Sequence, residues 1–145
     1  MGSHVVEAEG DDLLILRTQG EVSAEQARLL VQLDRDQARR LGYSLILIDG
    51  RGLTGFGAQA RHATFAEMKL HDGYLGSTAV FGLSGAMRVV LLLLIRAMAL
   101  LARNFDDEMQ VFATEAEARD FLTLRRPQRR AEAQSRIMQP GRPVP

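Results

Sequence analysis

A chain of 145 residues with 46% apolar and 25% charged side chains has room for one domain with a real core, and its composition excludes a wholly disordered polymer. It contains no cysteine, which excludes disulfides, thiolate metal sites and a cysteine nucleophile, and suits a reducing cytoplasm. The formal net charge of zero hides an asymmetry. From Leu124 onward six arginines face a single acid, Glu132, a surplus of five positive charges that the rest of the chain must balance.

Met1 to His4 shows no basic segment followed by an apolar one, so no secretory signal is expected and the expected location is cytoplasmic. The runs "HVVEAEG" and "DLLILRTQG", joined across Gly10-Asp11-Asp12, predict a β-hairpin. "EVSAEQARLLVQLDRDQARRLG" then opens with a capping box, in which Ser23 accepts from the helix N-terminus and Gln26 reaches back. Leu29, Leu30, Leu33 and Leu41 are expected on its apolar face, and Gly42 supplies the stop. "YSLILID" is too uniformly apolar to have a wet face and reads as a buried strand.

Directly after it, Gly50, Gly52 and Gly55 fall in the spacing G-x-G-x-x-G. A dinucleotide site needs a helix opening at the third glycine and an acid at the tip of the following strand. Here "FGAQA" delays the helix, the next strand ends in Ser84-Gly85, and Glu67 and Asp72 come too early. No G-x-x-x-x-G-K-[ST] sequence is present either. The glycines are therefore expected to let a strand-to-helix connection turn tightly, with no cofactor.

A second helix is expected from about Ala58 to His71, and "STAVFGLS" as a buried strand. Within the helix His62 and His71 lie on opposite sides. Glu67 and His71, at i and i+4, share a face, but two ligands without a third are no zinc site, so an ion pair is expected and no metal. Ser84 is expected to cap "GAMRVVLLLLIRAMALLARNF", whose longest apolar run, Val89 to Ile95, is far short of a membrane span. Arg88, Arg96 and Arg103 fall in one wedge of about 80°, so the rest of this helix is apolar. "MQVFAT" predicts the last strand. "TEAEARDFL" predicts a last helix, with a second capping box at Thr114 and Glu117.

The order hairpin, then α-β-α-β-α-β-α, argues for a single α/β domain over residues 1–123, with a mixed sheet that is parallel at its centre and has helices packed on it. Residues 124–145 carry four prolines and no aromatics, and are expected to be a solvated, disordered basic tail with no nucleic-acid partner.

The segment "LILIDGRGLTGF" resembles the centre of the SpoIIAA-like family, which shares the STAS (anti-sigma-factor antagonist) and CRAL-TRIO type of fold. The resemblance runs from Val5 to Leu122 and includes "GEVSAEQARLL". It implies a non-catalytic bacterial signalling module, some of whose relatives hold apolar or nucleotide ligands. In the family's antagonists the following loop reads Asp-Ser-Ser-Gly and a serine is phosphorylated. Here those positions are Gly57, Ala58, Gln59 and Ala60, so no kinase switch is expected there. Thr54 and Thr64 do not match the motif.

Asp49 at the strand tip reads as an Asx-type acceptor for its own loop, or else as a functional carboxylate. Arg51 reads as an anion site or a solvated cation, and Ser23 and Ser84 as caps. No G-x-S-x-G elbow is present, and no enzyme is expected. The expected partner surface comprises Asp49, Arg51, Thr54, Phe56, Gly57, Ala58 and Gln59. The helix from Ala86 to Asn104 is buried in its own domain, pairs with its copy in a homodimer, or walls a cavity for a lipid or other apolar ligand. The residues expected on that surface are Met87, Val90, Leu91, Leu94, Met98 and Leu101.

Overall fold

Around Gly10, whose φ of +62° suits a residue without a side chain, strands β1 (Val5–Glu9) and β2 (Leu13–Val22) pair antiparallel as a hairpin. A computed structural model describes residues 2–69, 75–101 and 106–137. Helix α1 (Ala24–Leu41) starts at the expected capping box: Ser23 Oγ accepts from Gln26 N–H at 3.2 Å, and Gln26 Oε1 accepts from Ser23 N–H at 2.9 Å. It ends at Gly42 with φ +83°.

Strand β3 (Ser44–Phe56) lies parallel to β2. Helix α2 (Ala58–Lys69), strand β4 (Leu75–Phe81), helix α3 (Gly85–Leu101), strand β5 (Asp106–Phe112) and helix α4 (Glu115–Ile137) follow. The sheet order is β1-β2-β3-β4-β5, parallel throughout except for the hairpin. Ser84 Oγ accepts from Met87 N–H as the expected cap of α3. Thr114 Oγ1 accepts from Glu117 N–H, while Glu117 reaches back to Ala113 N–H.

Period-two alternation divides the strand residues between two layers. Leu13, Ile15, Leu45, Leu47, Leu75 and Phe81 pack with Ala118, Leu122 and Ala133 of α4. Leu16, Ile46, Ile48 and Val80 face the other way, toward α1, α2 and α3. Leu45 and Leu47 are completely buried, each stabilising the fold by roughly 2 kcal/mol.

Helix α1 departs from the expected pattern. Leu29 and Leu33 are exposed, whereas Ala27, Arg35 and Gln37 are buried. Gln37 is drawn inward because its Nε2 donates to the Asp12 carbonyl at 2.6 Å, satisfying backbone at the hairpin.

The disordered tail expected from Leu124 is corrected as far as Ile137, since that stretch continues α4 even across Pro127. A proline inside a helix costs about 3 kcal/mol, so something must hold the helix together beyond it. Its arginines do so by binding the acidic body. Arg126 Nε and Arg130 Nη2 both reach Asp12 Oδ2, at 2.9 and 3.2 Å, and Tyr43 Oη donates to the same oxygen at 2.8 Å. Buried Arg129 donates to Ser77 Oγ at 2.9 Å, and Arg125 pairs with Glu108 at 2.9 Å. The domain boundary expected at residue 123 therefore falls inside a packed helix, while residues 138–145 of the expected tail lie outside the described residues.

Burial alone would raise the Asp12 carboxyl, but the hydrogen bonds from Tyr43 and Arg126 and the charges of Arg126 and Arg130 outweigh it and hold the group below its usual value. A carboxyl lowered on folding stabilises fully above its unfolded value of about 3.9, and loses that contribution as pH falls through the folded value. Asp12→Asn is expected to be less stable than the parent at neutral pH. It should also lose less further stability than the parent between about pH 4 and pH 2, as read from urea melts across that range.

Candidate functional site

Two places carry the residues singled out by the sequence: the glycine-containing end of β3, and the space between the sheet and helices α1 to α3. The first is not the turn that was expected. Gly50, Gly52 and Gly55 lie within β3, which runs on past β4 as a ribbon paired with β2 through Phe56. None of the three has a positive φ. What excludes a side chain is close approach. A Cβ on Gly52 would sit 2.2 Å from the Thr18 carbonyl oxygen, and one on Gly50 would sit 2.5 Å from Leu83 Cδ2. The register slips between Arg17 and Gln19 and again between Gly20 and Glu21, so β2 bulges against these glycines.

Asp49 marks where the ribbon begins, and it is buried. Its Oδ1 accepts from Arg51 N–H at 3.1 Å, the expected Asx-type bond, and from Arg51 Nε at 3.0 Å. Its Oδ2 accepts from Arg51 Nη2 at 2.7 Å and from Arg17 Nη1 at 3.3 Å. Thr18 Oγ1 donates to the Asp49 carbonyl. The Arg51 side-chain hydrogen bond overcomes burial and, with the Arg51 N–H and the charges of Arg51 and Arg17, holds the carboxyl below its ordinary value. A carboxylate engaged on both oxygens and held ionised is poorly placed to take up a proton.

The expected partner surface is thus divided. Arg51, Thr54, Ala58 and Gln59 are exposed, Phe56 and Gly57 are half-buried, and Asp49 is enclosed. Phe56 packs on the cluster of Val22, Ala27, Ala60 and Ala63. Gly57, Ala58, Gln59 and Ala60 make the entry to α2 and offer no side-chain hydroxyl. His71, half of the expected ion pair with Glu67, lies outside the described residues.

The second place is a partly open cavity of about 170 Å³ between β2, β3, β4 and β5 on one side and α1, α2 and α3 on the other. Four of the six residues expected on the apolar surface of α3 line it: Met87, Val90, Leu91 and Leu94. The side chains of Met98 and Leu101 lie outside the described residues. Of the three readings of α3, full burial is corrected, because Val89, Leu92, Leu93 and Leu100 form an exposed stripe on its outer side, with exposed Arg96 among them. A 17-residue helix this apolar has more greasy surface than one face can hide.

The cavity differs from end to end. Val22, Ala27 and Phe56 close one end with apolar side chains. At the other, near the start of β3, lie Asp34 and Arg35 of α1, where Asp34 accepts a hydrogen bond from Ser44. Sequence reasoning missed Arg35. The signal was the row Ala27, Val31, Arg35 at i, i+4 and i+8, which puts the arginine in line with two cavity residues. Among the described residues no group of three His, Asp or Glu side chains could hold a metal, and no helix is long and apolar enough to cross a membrane.

No protein-family model and no characterised protein matches the chain by sequence. The solved structures similar to it in fold include two at 19% identity. One is the anti-sigma factor antagonist SpoIIAA in its unphosphorylated form, with 19% identity and a TM-score of 0.51 over 83% of this chain and 98% of that one. The other is an uncharacterised DUF3478-family protein of SpoIIAA-like fold from Shewanella loihica PV-4, with 19% identity and a TM-score of 0.54 over 83% of this chain and 93% of that one. Hairpin, parallel centre and four packed helices together make this a single α/β domain of SpoIIAA-like (STAS) fold.

Proposed function

We propose that this chain is a non-catalytic binding module that takes an apolar small molecule into the cavity between its sheet and helices α1, α2 and α3. The cavity carries this reading. Its walls are leucine, isoleucine, valine, methionine and phenylalanine for most of their extent, and an apolar space of about 150 Å³ is enough to accept a molecule such as benzene. Methionines Met68, Met87 and Met109 give the lining side chains that adapt to an occupant's shape. The absence of a hydroxyl at residues 57–60 argues against control by phosphorylation at that loop and leaves binding constitutive or set by another input.

A second reading rests on a different observation. The exposed stripe of Val89, Leu92, Leu93 and Leu100 supports a protein contact, in the first instance with a second copy of the chain. One experiment separates the two. In native mass spectra of freshly purified protein, added decanol is expected to give a one-to-one adduct that Leu91→Trp, which fills the cavity, reduces at least about tenfold. A parent protein that takes up no decanol and carries no retained small-molecule mass would overturn the ligand reading. A dimer of clean protein mass would leave the stripe as the functional surface.

A further inference from the structure

Arg35 is the one buried polar group among the described residues whose chemistry the fold leaves unfinished. Its side chain forms part of the cavity wall and is 4% exposed, and its Nη1 is enclosed with no hydrogen-bond partner. Asp34 and Glu67 act on it through space, yet burial and the Arg39 charge push the guanidinium down from its ordinary value. An enclosed cationic N–H without an acceptor is among the costlier defects a fold can carry, and a native chain retains one where something else completes it. The other arginine buried among the described residues, Arg129, has Ser77, Glu132 and Glu108 around it. The contrast makes Arg35 an exception within its own protein.

Its position gives the orphan a meaning. From Ala27 to Arg35, α1 lines the cavity for eight residues, a rise of about 12 Å. Apolar side chains close the Ala27 end, and the guanidinium stands at the other. The space is greasy along its length and ends in a carboxylate already engaged by Ser44, that of Asp34, beside a guanidinium nitrogen with no acceptor. Such a space matches an elongated amphiphile with a small anionic head.

Resting on the ligand-binding reading above, we infer that the cavity takes a medium-chain carboxylate, its alkyl chain lying along α1 toward Phe56 and its carboxylate supplying the acceptor that Arg35 lacks. The head lies at the start of β3, beside Ile46 and Thr78, which pair across the sheet there. Arginine suits this task because its planar fork meets a carboxylate with two parallel hydrogen bonds.

Titration calorimetry with decanoate, decanol and decylammonium, probes of equal chain length and different head, tests the assignment. The parent protein is expected to bind decanoate at least about tenfold more tightly than decanol, the margin of a charge-assisted hydrogen bond, and decylammonium more weakly than either. Arg35→Met is expected to keep decanol binding and lose the preference for decanoate, and Arg35→Lys to retain part of it. The methionine variant should fold, because it replaces a buried guanidinium whose Nη1 has no acceptor by an apolar side chain of similar reach. Decanol binding without a decanoate preference, an unchanged preference in Arg35→Met, or tighter binding of decylammonium would each overturn the carboxylate assignment while leaving an apolar cavity in place. Failure of all three probes to bind would instead remove the ligand-binding reading on which the assignment stands.

Discussion

Ending the chain after Thr123 is expected to cost at least about 4 kcal/mol, leaving a protein that is largely unfolded at 37 °C. The deletion removes Arg126 and Arg130 from Asp12, Arg129 from Ser77, and Ala133 from the core it shares with Tyr43 and Leu45. The Tyr43 and Asp12 pair would then face water on the side where two guanidinium groups had enclosed it. Urea melts monitored by circular dichroism check this. If the shortened chain melted with the midpoint and slope of the parent, the arginine face of α4 would be an ornament of the fold and not part of its structure. Pro127 sharpens the point, since the helix persists through a residue that should break it.

Gly52→Ala is expected to destabilise by about 3 kcal/mol, lowering the melting temperature by roughly 10 °C. One added methyl would be 2.2 Å from the Thr18 carbonyl oxygen, a backbone atom that cannot rotate away. Either β2 moves off β3 and loses the ladder around Gln19, or the ribbon bends and pulls Phe56 from its cluster. Gly57→Ala is the control. Its added Cβ meets only the end of the Glu21 side chain at 3.4 Å, so its melting temperature should stay within about 2 °C of the parent's. Equal effects of the two substitutions would show that close strand approach is not what these glycines serve.

Much of the architecture was legible because local signals agreed with tertiary structure. The Ser23 and Gln26 box, the Gly42 stop and the uniform burial of Leu75–Phe81 each have a mechanism that needs no knowledge of the rest of the chain. The ribbon was not legible. Gly50, Gly52 and Gly55 supply no side chain from which to read a strand period, and only the bulged partner strand distinguishes close approach from a bend. The continuation of α4 was hidden by chemistry of a different kind. Ala118, Leu122, Arg129 and Ala133 keep a helical spacing, but with an arginine standing where a leucine would ordinarily announce a buried face. The arginine is inside because Ser77, Glu108 and Glu132 surround it, and two of these three are far away in sequence. Arg35 was missed for the same reason: a cation in a helical row reads as solvent-facing until the elements around it are known.

Asp12 and Arg130 meet across 118 positions of sequence, and the helix that carries Arg130 is the last described element of the chain. While a ribosome is still making that helix, the leucines of β2, β3 and β4 that it covers have nothing to lie against. The nascent domain must therefore wait, with one side of its sheet bare, until its final helical turns emerge. Its window for chaperone capture and for aggregation closes only once α4 has been made.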